Sequence, residues 1–465
     1  MKILFVHTFD YYEPIGIMTL SSFLKQHGHN CELLDLKFEK DYISSVKKIK
    51  PDILAFSITT NNWKRYQQVN LEIKKEYRVF SIFGGAHCTF FPDFINEAGV
   101  DAICRGEGEF ALLELADSLE KGKEINNISN LWIKKGEQIF KNDVRNLIED
   151  LDILPFPDRE LVNKYNHYKK RSRVRTIASR GCPYQCTYCS NHSYKSFYCD
   201  KGKFFRQRSP ENVIDEVKLL KEIYRPRNIE FHDDIFILNK NWTGKFLSLY
   251  IEEKINIPFE INVRADLVTP DIVSSLKKAG CYSVQFGVES GNEILRNTVL
   301  KRNISEEELI NISRLLSKHK IKSNTYNLLG IPGETIENAF ETVMLNSKIK
   351  PTYAMNTIYQ PYPATELAEY AKTKGFYSGE ISNFDKTYLY GKSVIVSRDI
   401  KRIERLHYLF SFGVKMPFLS AFIKVLINIP FNKLYQAMYF IYRAYIVIFI
   451  FKRLSLKEFF IREHF

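Results

Sequence analysis

The chain has 465 residues, of which 45% are hydrophobic, and this content supports more than one packed core and excludes a disordered protein. Three of its eight cysteines lie within eight positions, which favours a metal site in a reducing compartment over a disulfide framework. The first residues have the pattern of a buried strand and lack the cleavage site of a signal peptide, so we expect a cytoplasmic protein.

Apolar strand-like runs alternate with helical patterns over residues 1–140. This alternation predicts a Rossmann-like, doubly wound parallel sheet. The run that ends at Phe83 is followed by Gly84 and Gly85, which permit a tight turn and the close approach of a ligand to the backbone. A second turn, residues 105–109, is also compatible with ordinary loop chemistry.

Residues 141–172 lose the alternation and are predicted to be a linker. Six strand-like runs alternate with helices over residues 173–370, which predicts a partial (β/α)6 barrel. In such barrels the functional groups lie at the carboxyl ends of the strands. Residues 371–465 are predicted to be a mainly helical C-terminal region.

The net charge of +13 is concentrated in the C-terminal region, because residues 401–465 hold eleven Lys and Arg against three Glu, together with sixteen Phe and Tyr. A basic and aromatic tail suits a membrane surface better than a nucleic acid. Residues 434–451 form an apolar stretch near the lower length limit for a span, and Arg443 within it costs about 2.5–3.5 kcal/mol on insertion scales. A helix packed on the barrel, a helix at the inner face of the membrane and a true span all stay open.

Cys182, Cys186 and Cys189 follow the first strand of the predicted barrel. Three thiolates can hold a four-iron cluster and leave one iron without a protein ligand, so that this iron is open to S-adenosylmethionine (SAM). The alternative is a structural zinc site completed by His192 or Cys199, in an adaptor protein without catalysis.

The cysteine spacing, with Tyr188 before the last cysteine, resembles the signature of the radical SAM superfamily. The α/β domain that precedes the barrel resembles the one found in the cobalamin-binding subgroup, although the Asp-x-His-x-x-Gly motif of many cobalamin proteins is absent. The resemblance implies a four-iron four-sulfur cluster, SAM and cobalamin as cofactors. It also implies an electron donor such as a flavodoxin or a ferredoxin.

The resemblance also implies which residues contact the cofactors. The SAM ammonium is expected at Asp233 or Asp234, the SAM carboxylate at Arg264, and the ribose or carboxylate at Glu289 and Ser290. Each of these residues could instead form a structural ion pair or hydrogen bond. The other expected contacts are Tyr188 in the cysteine loop, Gly330 along the adenosine, and Ser57, Thr59, Thr60, Gly84, Gly85 and His87 around the corrinoid.

The implied reaction is reductive cleavage of SAM, hydrogen abstraction from a substrate carbon, and methyl transfer that depends on cobalamin. The alternative is a radical cyclisation, rearrangement or other skeleton change without methyl transfer. The sequence identifies no side chain as a catalytic acid, base or nucleophile. A lipid and a natural-product intermediate are both compatible as the substrate, whereas the charge distribution disfavours a nucleic acid.

Overall fold

A computed structural model describes residues 1–8, 13–165, 172–380, 392–451 and 456. The chain divides into two compact units, Met1–Arg171 with Tyr198–Phe204, and Ser172–Phe197 with Phe205–Phe465. The boundaries at residues 140, 172 and 370 stay predictions, and residues 166–171 of the predicted linker lie outside the described part of the chain.

The first unit contains a seven-stranded sheet in the order β2-β1-β3-β4-β5-β6-β7. Its strands are β1 Lys2–His7, β2 Asn30–Asp35, β3 Ile53–Ser57, β4 Phe80–Gly84, β5 Ala102–Cys104, β6 Leu131–Lys135 and β7 Gln138–Lys141. Strands β1 to β5 are parallel, as predicted. Strands β6 and β7 add an antiparallel hairpin that the sequence analysis missed, and Gly136 in its turn has a φ of +62°.

Helices cover both faces of this sheet, because successive side chains of a strand point to opposite faces. Ile3 and Phe5 of β1 join one buried cluster, whereas Leu4 and Val6 join another. The helices of the unit are Ile15–Gln26, Tyr42–Ile49, Trp63–Glu76, Ala86–Phe90, Glu109–Glu120 and Glu160–Asn163, with short helical turns at Pro92–Asn96 and Leu151–Ile153.

The second unit contains a curled six-stranded parallel sheet in the order β15-β14-β13-β12-β11-β8, which confirms the predicted partial barrel. Its strands are β8 Arg173–Thr176, β11 Asn228–Phe231, β12 Phe259–Val263, β13 Cys281–Glu289, β14 Lys322–Leu329 and β15 Tyr353–Ile358. A separate antiparallel pair is formed by β9 Ser179–Arg180 and β10 Arg206–Gln207.

Helices pack against one face of this sheet, where Ile229 and Phe231 of β11 lie in the largest buried cluster. The helices of the unit up to residue 373 are Ser190–Phe197, Pro210–Tyr224, Lys240–Glu252, Pro270–Lys278, Glu306–Lys318, Ile336–Ile349 and Glu366–Thr373, with short turns at Ala265–Leu267 and Leu295–Val299. The C-terminal region adds helices Ile400–Lys415, Ser420–Leu426 and Asn432–Tyr445, with turns at Pro417–Leu419 and Ile446–Ile450.

The C-terminal helices are built onto the barrel. Helix Ile400–Lys415 packs on β15, and Tyr435 and Tyr439 of the last helix are buried in the same cluster. Ile446 and Phe451 are buried with Tyr353, the first residue of β15. Of the three alternatives for residues 434–451, the structure therefore shows a helix packed on the barrel. In the described part of the chain, no helix combines the length and the apolar character that crossing a membrane requires.

Candidate active site

The three predicted cysteine ligands lie in one loop of the second unit, between β9 and helix Ser190–Phe197. Cys186 is buried, whereas Cys182 and Cys189 are half-buried. The backbone N–H of Cys189 donates to the carbonyl of Cys186 at 3.1 Å, so the last two cysteines share one tight turn. The loop ends directly at the helix, which fixes its exit.

The sulfur atoms of the three cysteines are not gathered as closely as three ligands of a single ion. Three thiolates on one zinc ion lie about 3.8 Å apart, because each Zn–S bond is about 2.3 Å long and the site is tetrahedral. Among the described residues, the only three His, Cys, Asp or Glu side chains with ligand atoms within 4.8 Å of one another are His29, Asp117 and Glu120 of the first unit. The three sulfur atoms of the cysteine loop are therefore not all within 4.8 Å of one another, whereas in a bound cluster each thiolate would hold its own iron.

Backbone and hydroxyl contacts hold the loop between its last two cysteines. Thr187 donates its hydroxyl to the carbonyl of Val299 at 2.7 Å and its N–H to the carbonyl of Leu300 at 3.3 Å. Its own carbonyl accepts the N–H of Leu367 at 2.9 Å. These bonds come from the turn after β13 and from the helix after β15, so the loop depends on the folded barrel for its shape.

Arg302 is a site residue that the sequence analysis missed. Its Nη1 lies 3.7 Å from Cys186 Sγ, and its Nη2 donates to the carbonyl of Gly287 in β13 at 3.0 Å. The Nε atom is buried and has no hydrogen-bond partner among the described residues. The guanidinium therefore places a buried positive charge beside the Cys186 sulfur.

Glu289 and Tyr188 complete this buried group. Burial raises the pKa of the Glu289 carboxyl, while the charge of Arg302 and a hydrogen bond from Tyr188 act in the opposite direction. Glu289 has a φ of +63°, which is uncommon for a residue with a side chain. A Cβ at Gly287 would lie 2.2 Å from Glu289 Oε1, so only glycine leaves room for this carboxylate.

The two neighbouring aspartates after β11 have different environments. Asp233 is buried, accepts the N–H of Ala178 at 3.1 Å and the hydroxyl of Ser179, and its pKa is raised to about 6 by burial. Asp234 is exposed in the described structure and hydrogen-bonds to Asn191, whose Nδ2 lies 3.9 Å from Cys189 Sγ. Asp234 is thus the carboxylate on the cysteine side, whereas Asp233 ties together the segment that leads into the loop.

The remaining expected SAM contacts have protein partners. Arg264 forms a bidentate pair with Asp266, at 3.0 and 3.2 Å. The Ser290 hydroxyl accepts the N–H of Asn292 at 3.3 Å and lies at the start of the next helical turn. Gly330 has a φ of +75°, donates its N–H to Glu334 at 2.5 Å, and has Ile400 of the C-terminal region as its nearest side-chain neighbour.

The expected corrinoid residues lie at the carboxyl ends of β3 and β4 in the first unit. Ser57 and Thr59 are exposed and Thr60 is half-buried. Gly84 accepts the N–H of Ile58 at 2.8 Å, and a Cβ at Gly85 would lie only 2.6 Å from the carbonyl oxygen of Ile58. Gly85 therefore lets these two strand ends approach each other.

Four buried polar atoms near these strand ends have no hydrogen-bond partner among the described residues. They are His7 Nε2, Thr8 Oγ1, Asn61 Oδ1 and His87 Nδ1, which follow or end β1, β3 and β4. Open α/β sheets with the order 2-1-3-4-5 bind ligands at such strand ends, next to the switch point between β1 and β3. Unpaired polar atoms at this place fit a ligand that carries many amide groups, as a corrinoid does.

His87 is held by aromatic rings rather than by polar groups. Its ring stacks on Trp63 with a centroid distance of 5.3 Å and an interplanar angle of 8°. Burial lowers the pKa of His87 to about 4, so the imidazole is neutral at pH 7. A neutral ring with an unpaired Nδ1 can exchange one hydrogen bond with a ligand.

Comparisons with known proteins match parts of both units of the chain. The sequence matches the family model described as Radical SAM superfamily over residues 176–345 and the one described as B12 binding domain over residues 1–116. An uncharacterized methyltransferase from Pyrococcus horikoshii is 31% identical, over 77% of this chain and 78% of that protein. The anaerobic magnesium-protoporphyrin IX monomethyl ester cyclase of Rubrivivax gelatinosus is 25% identical, over 79% of this chain and 69% of that protein.

A solved structure has the same fold. It is the radical S-adenosylmethionine methyltransferase TsrM from Kitasatospora setae, with cobalamin and an iron–sulfur cluster bound. The two chains superpose with a TM-score of 0.67 at 17% identity, over 80% of this chain and 75% of that chain. At this identity the likeness establishes the fold.

Proposed function

Because this chain belongs to the radical SAM superfamily and carries a B12 binding domain, we propose that it transfers a methyl group to a carbon atom of its substrate. The chain is a radical SAM enzyme, and its cofactors are a four-iron four-sulfur cluster, SAM and cobalamin. Because the chain belongs to this superfamily of enzymes, the alternative of a zinc-stabilised adaptor protein without catalysis is wrong. The proposal rests on one observation. The same chain has three cysteines in one loop of the barrel unit and a second sheet whose strand ends suit a corrinoid.

We propose that Cys182, Cys186 and Cys189 are the cluster ligands. The cluster, when bound, supplies the electron that breaks SAM, and cobalamin carries the methyl group. The chain contributes a loop with a shape set by the barrel and a guanidinium, Arg302, beside the central thiol. The loop holds Cys186 beside this positive charge, which would stabilise a metal-bound thiolate there.

For SAM, the contacts in the structure favour some of the expected residues over others. Asp234 has the exposed carboxylate nearest the cysteines and suits the ammonium group, whereas the Asp233 carboxylate is already bonded within the protein. Glu289 and Tyr188, next to Arg302, offer a carboxylate and a hydroxyl to the remaining polar groups. Ser290 and Gly330 contribute through backbone shape, because their polar groups already have protein partners.

For cobalamin, we propose a binding edge formed by Ser57, Thr59, Thr60, Gly84, Gly85 and His87. The exposed hydroxyls and the unpaired Nδ1 of His87 would pair with amide arms of the corrinoid, and the glycines would let it approach the backbone. The chain lacks the histidine motif that binds cobalt from below in many cobalamin proteins, so these residues are proposed as contacts to the periphery of the ring.

A second reaction, ring closure without methyl transfer, has one observation in its favour, namely the 25% identity to a cyclase. The test uses the full chain, reconstituted anaerobically with iron, sulfide and cobalamin, and incubated with dithionite as the reductant, methyl-labelled SAM and fractionated cell extracts. We expect an extract-dependent product that retains the label, together with 5′-deoxyadenosine. Extract-dependent 5′-deoxyadenosine with no labelled product would replace methyl transfer by the cyclisation class.

The enzyme needs a substrate and a reductant, and we propose a flavodoxin or a ferredoxin as the electron donor. Replacing dithionite in the same assay with reduced flavodoxin or reduced ferredoxin tests this proposal, and we expect SAM cleavage to continue with one of them. Cleavage with dithionite alone would overturn the proposed donor and leave the reaction class intact.

We also propose that the C-terminal helices contact the inner face of a membrane, with a lipid or a natural-product intermediate as the substrate. The helices bury one face against the barrel and expose large apolar side chains on the other, including Phe418 (79% exposed) and Ile441 (69% exposed). We call Phe418, Phe422, Val425, Leu434, Ile441 and Phe449 the outer apolar residues; all six are more than half exposed. Residues 405–451 contain five Lys and Arg and no Asp or Glu, a charge that suits anionic lipids.

Cosedimentation with vesicles tests this contact. We expect the full chain to bind phosphatidylglycerol-containing vesicles more tightly than pure phosphatidylcholine vesicles, and to be released by salt. Replacing Phe418 and Phe422 by Ser should weaken binding at least about tenfold, since each buried aromatic ring contributes well over 1 kcal/mol. The control is Ile223→Ser, which removes an apolar side chain that is also more than half exposed from helix Pro210–Tyr224. Self-association in place of vesicle binding would assign the outer apolar residues to a second copy of the chain.

A further inference from the structure

Tyr184 lies between the first two cysteines of the cluster loop, and its ring covers the guanidinium of Arg264. The guanidinium carbon is 3.6 Å from the ring centroid, which is face-to-face contact. Arg264 directly follows β12 and is only 4% exposed, whereas Tyr184 is half-buried. A cation held over an aromatic face with little water around it is strongly attracted to the ring.

Hydrogen bonds to other residues hold the guanidinium of Arg264 in place, independently of the Tyr184 ring. Its Nε and Nη2 atoms donate to the two carboxylate oxygens of Asp266 at 3.0 and 3.2 Å, and Nη2 also donates to the carbonyl of Arg302 at 2.8 Å. This bidentate geometry sets the plane of the guanidinium. In the described part of the chain, only Nη1 of this guanidinium is buried without a hydrogen-bond partner. The group is therefore a flat, rigid platform at the end of a central barrel strand.

The two spacers of the cysteine loop are held in different ways. Thr187, in the second spacer, has three hydrogen bonds to the barrel. In the first spacer, Pro183 and Gln185 are exposed, and one contact to this segment is an exposed hydrogen bond of 3.2 Å from Lys195 Nζ to the Pro183 carbonyl. The stack of Tyr184 on the buried Arg264 is better shielded from water than this hydrogen bond.

We propose that Arg264 is a positioning residue that clamps Tyr184 and thereby sets the spacing of Cys182 and Cys186. The proposal rests on the assignment of these cysteines as cluster ligands, and it gives Arg264 a role other than pairing with the SAM carboxylate. Because Nε and Nη2 already donate to Asp266, the guanidinium is better placed to stack on Tyr184 than to form a bidentate ion pair with the cofactor.

The test compares three variants of the full chain after anaerobic reconstitution: Tyr184→Phe, Tyr184→Leu and Arg264→Lys. The first keeps the ring, the second removes it, and the third keeps the charge but loses the flat fork. The readout is the rate at which an iron chelator removes iron. We expect this rate to rise about tenfold in Tyr184→Leu and Arg264→Lys, and by less than about twofold in Tyr184→Phe.

Two further measurements keep the outcomes distinct. The double variant Tyr184→Leu with Arg264→Lys should lose iron no faster than the single variants, because both remove one shared contact. The electron paramagnetic resonance spectrum of the reduced cluster is recorded with and without SAM. Normal iron release in Arg264→Lys, with a spectrum that no longer responds to SAM, would overturn the clamp and restore the SAM carboxylate role. Wild-type protein without iron would refute the proposed function itself, and circular dichroism identifies a variant that fails to fold.

Discussion

The two candidate sites differ in how their polar groups are paired. We call the loop of Cys182, Cys186 and Cys189, together with Arg302, Glu289 and Tyr188, the cysteine edge. We call the carboxyl ends of β1, β3 and β4 in the first unit the corrinoid edge.

At the cysteine edge the charged groups contact one another, since Arg302 lies beside Cys186 and Tyr188 hydrogen-bonds to Glu289, although Arg302 Nε and Arg264 Nη1 have no partner among the described residues. At the other edge, polar atoms of neutral groups such as Thr8 and His87 are buried without partners among the described residues. One site is mainly a network of charged groups, whereas the other is a set of neutral polar groups open to a ligand.

The difference follows from what each cofactor brings. Iron needs several thiolates, and gathering negative charge in a buried loop is unfavourable unless a cation and hydrogen bonds offset it. A corrinoid brings its own amide groups, so the protein needs a broad edge and a few donors and acceptors. Substitutions should therefore affect the two sites independently, and the following predictions test this independence.

The largest expected effect is at the central cysteine. Cys186→Ser should reduce the iron content after reconstitution from about four atoms per chain to nearly none, because the cluster loses one of three ligands. Cobalamin binding, measured by absorbance after gel filtration, should stay unchanged. The control is Cys199→Ser, which alters an exposed cysteine and should keep full iron. Loss of iron in the control as well would make Cys199 a fourth ligand.

The complementary change is made at the corrinoid edge. Gly85→Ala places a Cβ 2.6 Å from a backbone oxygen at a φ of +94°, so the two strand ends must separate. We expect cobalamin binding to weaken more than about tenfold and the free energy of unfolding to fall by about 2–3 kcal/mol, while iron content is kept. Gly122→Ala is the matched control, since its φ of +61° carries the strain without any close neighbour. Equal loss of cobalamin in both variants would assign the effect to backbone strain alone.

The same contrast explains how much could be predicted from the sequence. Cys182, Cys186 and Cys189 are close in the sequence, and thiols at this spacing indicate their chemistry directly. Arg302 is thirteen positions after Glu289, and its place beside Cys186 depends on the turn that follows β13. No local sequence pattern indicates the contact between Arg302 and Cys186, so it could not be predicted from the sequence.

The fold, like the site, could be predicted from the sequence only in part. Alternating strands and helices predicted both parallel sheets, because buried parallel strands are short apolar runs whatever their neighbours are. The β6–β7 hairpin was missed, since its strands are partly polar and lie at the edge of the sheet. For Arg264, the sequence suggested a cofactor contact, whereas its bond to Asp266 and its stack on Tyr184 depend on the local turn and on the position of the cysteine loop.

Glu334, in the loop that follows β14, should make the stability of the protein depend on pH. Burial raises the pKa of this carboxyl to about 8, while the N–H groups of Gly330 and Ile331 donate to it. A carboxyl with a raised folded-state pKa stabilises the fold below its ordinary pKa of 4.5, and this contribution is lost as the pH rises to 8. The stability of the wild type relative to Glu334→Gln should fall over this window, by at most about 5 kcal/mol. The exposed Glu337→Gln serves as the control in urea unfolding, and a difference that does not vary with pH would contradict the prediction.

His87 should show the opposite dependence in the first unit, with a smaller effect. Burial lowers the pKa of His87 to about 4. Between pH 6.5 and 4 the unfolded chain therefore binds a proton that the folded chain does not, and the folded state loses stability as the pH falls. His87→Phe keeps the stack on Trp63 but cannot titrate, so the wild type should lose up to about 3 kcal/mol relative to this variant over the window, measured by urea unfolding of cofactor-free protein. His27→Phe, at an exposed position, is the control. Cobalamin that hydrogen-bonds to Nδ1 would bind the neutral ring. With cobalamin bound, the wild type should therefore lose more stability relative to His87→Phe as the pH falls, whereas an unchanged loss would place the corrinoid away from His87.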